Sequence, residues 1–324
     1  MPNNIALLRR MPDRKIMLNQ SRILLLPVIG LLIFLLVWHL AAKQIQTSLG
    51  TLPGPTETYQ QFTYLVDEHF AKAEKAEAFM LRQEKRNAAK LAKNPDAKVK
   101  IRPYTGKPTF FDQIITSLVT VACGFVLASV IAIPLGIFLG INNSLYMAVN
   151  PIIQLLKPVS PLAWLPIVTM VVSAVYVSSD PLVPKSFVIS LLTVAMCSLW
   201  PTLINTAVGV ANIDKDLMNV SRVLQLSNLQ HVRTIVLPSA TPMIFTGLRL
   251  SLGIAWMVLI AAEMLAQNPG LGKFVWDEFQ NGSSASLGRI MVAVFAIGLI
   301  GLLLDRAMLA LQKKVSWNKQ QLLR

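Results

Sequence analysis

The chain has 324 residues, of which 54% are hydrophobic and only 14% charged, whereas about a quarter of the residues in a typical soluble domain are charged. A formal net charge of +14 would indicate nucleic-acid binding in a soluble protein. Here, however, eleven Lys or Arg against four acids fall within residues 71–107, and most other charges flank apolar runs. The composition therefore excludes an ordinary soluble domain and argues against a nucleic-acid partner.

Several long stretches lack Asp, Glu, Lys and Arg altogether, among them residues 114–156 and 186–213. A bilayer core needs about 20 apolar residues per helix, and in lipid every backbone polar group must find its partner within the protein. The first apolar run is too long for a cleaved signal core of about 7–15 residues, so we expect it to be retained. We predict six transmembrane α-helices, at residues 22–42, 112–141, 146–177, 185–209, 241–265 and 287–310.

Basic residues indicate how these spans are oriented, because they concentrate in short cytoplasmic loops. The arm at residues 1–21 and the tail at residues 313–324 are both basic, and six spans place both ends on one side. We therefore predict that both termini are cytoplasmic. The loop at residues 210–240 is then also cytoplasmic, and the segment at residues 43–111 is extracytoplasmic.

The predicted extracytoplasmic segment includes a helix-forming stretch. Residues 68–95 are rich in Ala, Glu, Lys, Arg and Gln, which favour helices. The Asn94-Pro95 pair predicts the end of this helix, because a residue before proline disfavours helical geometry. One interpretation is a solvated helix, and the other is an electropositive collar that attracts an anion or an acidic docking partner.

The third predicted span is irregular. Its sequence "KPVSPLAWLP" lies among prolines that remove backbone donors and break helices, at positions 151, 158, 161 and 166. Membrane interiors tolerate such breaks only where protein or water fills the gap. We therefore predict a broken, buried element near a transport pathway.

The loop at residues 210–240 carries the most informative pattern. An amphipathic helix is predicted over residues 216–236. Asp214 and Asp216 lie at its start, where carboxylates suit the positive helix end, and Leu237-Pro238 is expected to stop it before the fifth span. Its apolar face consists of Leu217, Val220, Val223, Leu224 and Ile235. This helix is either a connector on the membrane surface or a docking site for a soluble energy-supplying subunit, which would transmit motion to the flanking spans.

Catalytic and metal-binding patterns are absent from the sequence. The segment "QNPGLGKF" at residues 267–274 departs from a phosphate-binding loop, since Gln267 replaces the first glycine and Phe274 the Ser/Thr. The three histidines are too dispersed for metal-ligand spacing. We expect no bound cofactor and no metal, so energy for uphill transport would come from a partner.

The loop resembles the EAA-x3-G-x9-I-x-LP motif of permeases in ATP-binding-cassette (ABC) importers. The I-x-LP ending is intact, while the EAA triad and the glycine are replaced. The aligned positions are Asn219, Val220 and Ser221, then Gln225, then Ile235, Leu237 and Pro238. The segments "GLRLSLGIAWMVLIAAEML" and "GLGKFVWDEF" resemble the nitrate/sulfonate/taurine group, and "LWPTLINTAVGV" its nitrate and bicarbonate branch. The similarity covers residues 21–66 and 108–312, so the basic stretch at 71–107 looks like an insertion.

This resemblance implies an all-α polytopic membrane protein with the fold of a type I ABC importer permease, in which a five-helix core at residues 112–312 follows an extra N-terminal span. It further implies a second permease copy, cytoplasmic ATPase subunits that bind ATP-Mg, and an extracytoplasmic substrate-binding protein or domain. The expected location is the bacterial inner membrane. Asp216 and Arg222, together with the motif positions, are expected to couple the permease to the ATPase.

Candidate pathway residues are neutral donors that could replace the water around an anion without trapping it; interhelical packing is the alternative for each. They are Ser160, Trp164, Thr193, Trp200 and Asn205. Lys157 and Arg249 are cationic candidates that could instead reach an interface. Glu263 would repel an anion, so we favour a structural or gating hydrogen bond for it over direct ligation.

The resulting prediction is a permease subunit for a small inorganic anion, with nitrate or nitrite first. The same type of importer for bicarbonate, cyanate or a sulfonate such as taurine is the alternative. A membrane-embedded enzyme would need clustered acid/base or metal ligands in the spans. A passive channel or anchor would explain neither the broken third span nor the cytoplasmic helix.

Overall fold

A computed structural model describes residues 14–47, 50–94, 99–177 and 183–315, without the side chains of residues 14–24 and 284. Its helices are α1 (Arg14–Gln44), α2 (Pro55–Lys93), α3 (Phe110–Ile141), α4 (Asn143–Leu156), α5 (Pro161–Val175), α6 (Lys185–Ala211), α7 (Lys215–Val223), α8 (Asn228–His231), α9 (Leu237–Ala266), α10 (Leu271–Asn281) and α11 (Ser284–Val315). A π-helical turn, Val232–Val236, joins α8 to α9, and strands β1 (Gln46–Thr47) and β2 (Gly50–Thr51) pair antiparallel after α1.

Among the described residues, five helices are long and apolar enough to cross a membrane, and a bent pair brings the number to six. The five are Leu25–Gln44 of α1, α3, α6, the continuous helix Asn228–Ala266, and Ala285–Val315 of α11. The chain is therefore an all-α polytopic membrane protein, as predicted.

Helix α6 lies at the centre of the bundle, between α3 and α9. Small residues allow its close approach to α3: a Cβ at Gly136 would stand 2.8 Å from the carbonyl oxygen of Leu203. Gly140 follows one helical turn later in the same contact, facing Val210. Because lipid provides no hydrophobic force between spans, this close packing is what joins them.

The bent pair consists of α4 and α5, whose axes differ by 99°. The chain leaves helical geometry only between Lys157 and Ser160, so our expectation that all four prolines break the helix was wrong. Pro151 and Pro166 lie inside α4 and α5, and Pro161 occupies the first turn of α5. A first-turn proline loses no helical hydrogen bond, because its N–H would have no intrahelical acceptor.

Helix α2 begins at Pro55, well before the predicted start at residue 68. Its first half packs against other helices, and the side chain of Leu65 is 1% exposed in a core cluster shared with α3, α9, α10 and α11. The charge pattern that we used applies only to the solvated second half. The start of the helix is therefore set by tertiary burial and by Pro55 at its first turn.

Candidate functional site

The loop between α6 and α9 does not form one helix over residues 216–236, so that prediction was wrong. Helix α7 ends at Val223, and α8 begins only at Asn228. Asp214 caps α7, because its side chain accepts a hydrogen bond of 2.9 Å from the backbone N–H of Asp216.

The end of α7 is a Schellman turn. The backbone N–H of Leu226 donates to the carbonyl of Ser221, and that of Gln225 to Arg222, the pattern in which a left-handed residue closes a helix. Gln225 has φ +48°. This residue stands at the glycine position of the importer motif, where glycine would adopt this conformation without a Cβ penalty.

Leu237-Pro238 does not stop the helix, which corrects a second expectation. The chain stays helical from Asn228 to Ala266. The π-helical turn carries it past the proline, with the N–H of Leu237 donating to the carbonyl of Val232. A wider turn accommodates the proline ring that would otherwise meet the preceding turn. Ile235, only 8% exposed, is buried at this joint.

The apolar face predicted for the loop is largely uncovered. Leu217 is 42% exposed, Val220 49% and Val223 82%. The charged side chains of Asp216 and Arg222 are also exposed, as is Asn219. A hydrogen bond of 2.7 Å between Ser221 Oγ and His231 Nδ1 fixes α7 against α8. The loop thus presents a short, ordered helix with a free apolar face.

The bend between α4 and α5 gathers three of the predicted pathway residues. Lys157 follows the end of α4, Ser160 caps α5 by accepting from the N–H of Leu162, and Trp164 lies one turn later. In the part of the chain that the structure describes, the indole N–H of Trp164 is buried and has no hydrogen-bond acceptor. An unsatisfied buried donor costs about 1–3 kcal/mol.

Helix α6 carries the other three neutral candidates. Thr193 is fully buried and donates to the carbonyl of Ile189 at 2.8 Å, while Asn205 donates to that of Pro201 at 2.8 Å. Trp200 differs, since its indole N–H is buried and no described residue accepts from it. Among the predicted pathway residues that the structure describes, Trp164 and Trp200 are therefore the two with a buried donor that has no acceptor.

Arg249 forms an ion pair that the sequence did not predict. Its guanidinium donates to the carboxylate of Asp305 on α11, with one contact of 2.8 Å. Both side chains are about two-fifths exposed. The pair joins α9 to α11, so the guanidinium is already partly neutralised before any anion arrives.

Glu263 is 0% exposed and accepts hydrogen bonds from two other elements. Ser117 Oγ of α3 lies 2.9 and 2.8 Å from its two oxygens, and the backbone N–H of Gly272 in α10 donates at 3.0 Å. The N–H of Leu271 in turn donates to Ser117 Oγ at 2.8 Å. The carboxylate thus links three helices; its inclusion among the pathway residues stays a prediction.

Sequence reasoning missed the partners in these contacts. Ser117 gives no signal, because a serine in an apolar span is common. Asp305 could have been noticed as an acid near the end of an apolar run, opposite the basic Arg249. The pair Thr202 and Ser251, whose hydroxyls lie 2.7 Å apart between α6 and α9, has no sequence signature either.

Residues 132–317 match the family of binding-protein-dependent transport system inner membrane components. The chain belongs to this family. It is a multi-pass permease component of an importer rather than an enzyme. This confirms the resemblance that the loop motif indicated.

Three known proteins illustrate the similarity. The nitrate import permease protein NrtB of Leptolyngbya laminosa is 40% identical over 205 residues, 62% of this chain and 68% of that protein. The bicarbonate transport system permease protein CmpB of Synechococcus elongatus is 33% identical over 300 residues, 91% and 90% of the two chains. A chain of the MetNI methionine ABC transporter, in an inward-facing structure, shares the fold with a TM-score of 0.53 at 18% identity, over 64% of this chain and 95% of that one.

Proposed function

We propose that this permease imports nitrate or nitrite, driven by ATP hydrolysis on partner subunits. The observation that puts nitrate first is the similarity to NrtB, 40% identical over 205 residues. A bicarbonate permease, CmpB of Synechocystis, is also 40% identical, over 207 residues. The chain's own residues are compatible with nitrate, since neutral indole donors suit a weakly hydrated monovalent anion that must also be released.

Helix α7 is the proposed contact with the ATPase. An apolar helical face left exposed next to charged residues marks a protein interface, and Asp216 and Arg222 flank the uncovered Val220 and Val223. The hydrogen bond between Ser221 and His231 would transmit a displacement of α7 to the π-helical turn and from there to α9. We propose Asn219, Gln225, Leu237 and Pro238 as further parts of this unit.

The remaining partners follow from the family. The proposed assembly holds two permease chains, two ATPase subunits on the cytoplasmic side and a binding protein on the other, in a bacterial inner membrane with both termini cytoplasmic. Binding and hydrolysis would shift the core between inward- and outward-open states, each favoured by different contacts.

Bicarbonate is the second candidate cargo. The alignment with CmpB covers 91% of this chain, more of its length than the alignment with NrtB covers. Both cargoes are small planar oxyanions, so the same donors suit either.

An uptake assay tests the proposal. The permease is reconstituted in proteoliposomes with its ATPase and its binding protein, and ATP hydrolysis is measured with nitrate, nitrite, bicarbonate, cyanate and taurine. We expect nitrate and nitrite to stimulate hydrolysis and to accumulate inside. Stimulation by bicarbonate alone would transfer the assignment to the second candidate, and failure of any ATPase to co-purify would contradict the assembly.

The same vesicles test the pathway donors. Trp164→Phe and Trp200→Phe keep the ring but remove the N–H, and we expect the half-saturating anion concentration to rise roughly two- to tenfold, the effect of one lost hydrogen bond. Trp276→Phe on α10 is the matched control and should leave it unchanged. If the half-saturating anion concentration of all three variants equals that of the wild type, neither Trp164 nor Trp200 lies on the pathway.

A further inference from the structure

The second half of α2 and the chain that returns beside it form a two-layer arm, residues 73–94 and 99–107. The rings of Phe79 and Tyr104 lie 5.6 Å apart between the layers. The side-chain amide of Gln83 accepts from the backbone N–H of Arg102 and donates to its carbonyl at 3.0 Å. The returning chain is therefore held in register along the helix, and the arm is an ordered structure.

Between the two layers lies an open cavity of about 560 Å³. Its charged lining residues are all cations: Arg82, Arg86, Lys90, Lys100 and Arg102. The arm's carboxylates at positions 74, 77 and 84 do not line it, and Asp96 lies outside the described residues. We name this surface the basic groove. It has no role in the proposed coupling or pathway.

The groove's dimensions select the class of ligand. Arg82, Arg86 and Lys90 extend over about 12 Å of helix at 1.5 Å per residue, several times the width of one inorganic oxyanion. Arginine forks bind carboxylates in bidentate fashion, and a one-signed cleft raises the local concentration of an oppositely charged partner. A row of carboxylates on a protein surface therefore matches the groove better than a single small anion does.

We infer that the basic groove is a docking surface for an acidic region of the extracytoplasmic binding protein. The inference rests on the proposed function and on the predicted side of the arm. It adds a recognition element on the basic stretch at residues 71–107, which we interpreted as an insertion. Charge complementarity of this kind acts mainly on the rate of association and on its salt dependence.

Helix α2 is attached to other helices by ion pairs just before the arm begins. Lys72 Nζ lies 2.7 Å from Asp112 at the start of α3. Arg289 of α11 lies 3.6 Å from Glu68 of α2 and 3.3 Å from Glu278 of α10. A protein docked in the groove would thus act on α3 and α11, which are predicted to cross the membrane, and on the short helix α10 between α9 and α11.

Two triple variants test the inference in the complete permease–ATPase complex, held in nanodiscs. Arg82→Gln, Arg86→Gln and Lys90→Gln neutralise the groove. Lys75→Gln, Lys85→Gln and Lys93→Gln remove the same charge from arm positions that do not line the cavity. Association of the binding protein encoded with the permease is followed at low and high salt.

We expect the groove variant to associate about tenfold more slowly at low salt, with a flatter salt dependence, and the control variant to change less than about twofold. Hydrogen exchange of residues 79–90 should be the same in both, showing that the arm stays folded. Equal association of wild type and groove variant, or equal loss in the two variants, would overturn the inference.

Further outcomes separate the inference from the proposed function. If the groove variant loses association only in nanodiscs containing phosphatidylglycerol, the groove binds lipid headgroups and the inference is wrong. Labelling of Lys85→Cys from the cytoplasmic side alone would also overturn it. If wild type transports nitrate but the groove variant docks normally, only the inference fails; if no anion stimulates the wild-type complex, the proposed function fails.

Discussion

Glu263 shows how a single residue can complete a helix from a distance. Helix α10 begins after Gly270, which has no side chain to cap it. Its first N–H groups are satisfied instead by Ser117 Oγ and by the Glu263 carboxylate. A Cβ at Gly270 would stand 2.1 Å from that carboxylate, so glycine is needed for the approach. Buried donors of this kind need a protein acceptor, because water does not reach them.

Replacing Glu263 by alanine should destabilise the permease. The change leaves the Ser117 hydroxyl and the Gly272 N–H without their acceptor, at about 1–3 kcal/mol for each buried donor. Thermal unfolding of the purified protein, followed by tryptophan fluorescence, should therefore move to clearly lower temperature.

The control is Asp277→Ala on α10, the helix whose start Glu263 caps from α9. It removes an ion pair to Lys273 in which the aspartate side chain is 47% exposed, and such pairs contribute about 0–1 kcal/mol. Equal stability of Glu263→Ala and Asp277→Ala would contradict the capping role.

At the scale of elements, the loop between α6 and α9 is built from short pieces with well-defined ends. Asp214 starts α7, the left-handed Gln225 ends it, and Ser227 starts α8 by a capping box with Gln230. The free apolar face of α7 therefore stands in a fixed direction.

Gln225→Gly should stabilise this turn, because glycine adopts a positive φ without the Cβ penalty of about 1–2 kcal/mol. Part of this gain is offset because glycine raises the conformational entropy of the unfolded chain. Amide hydrogen exchange across residues 215–226 should slow by a few fold. Gln225→Val should accelerate it, since a branched side chain tolerates this φ poorly.

Gln267, the other described non-glycine residue with positive φ, at +56°, provides the control. Gln267→Gly lies at the far end of α9 and should leave exchange across the α7 turn unchanged. Slower exchange in Gln225→Val than in wild type would contradict the assigned geometry.

At the scale of the whole molecule, the exposed surfaces differ in polarity and charge. The span of α1 exposes apolar side chains over most of its surface, such as Leu31 at 59% and Leu36 at 58%, which is typical of a lipid-facing helix. The α7 face mixes apolar and charged residues, and the basic groove is uniformly cationic. We therefore propose three separate surfaces for lipid, ATPase and binding protein.

Asp216→Asn and Arg222→Gln should uncouple transport, because both side chains are exposed on the proposed motor contact. We expect anion taken up per ATP hydrolysed to fall about fivefold, equivalent to about 1 kcal/mol, while binding-protein association stays normal. Lys313→Gln, at the end of α11, is the charge-matched control for Arg222→Gln. Normal uptake in both α7 variants would contradict the placement of the contact.

The sequence by itself determined the membrane class, the helical architecture and the family. Hydropathy averaged over about 20 residues does not depend on which other helices the segment packs against. The I-x-LP ending of the loop motif is likewise a local pattern. The four prolines also indicated a break in the third span, although helical geometry is lost only between Lys157 and Ser160. The start of α2 was not, since it depends on the burial of Leu65 against other helices.

The tertiary structure alone decided the partners of polar groups. Glu263 and Ser117 are 146 positions apart, and Arg249 and Asp305 are 56 apart; no local pattern relates such pairs. The left-handed turn at Gln225 and the π-helical turn before Pro238 were not predicted either. A transmembrane span depends on the average hydropathy of its residues, which the sequence contains. A hydrogen bond needs one atom placed within about 3 Å of another, and only the folded chain sets that distance.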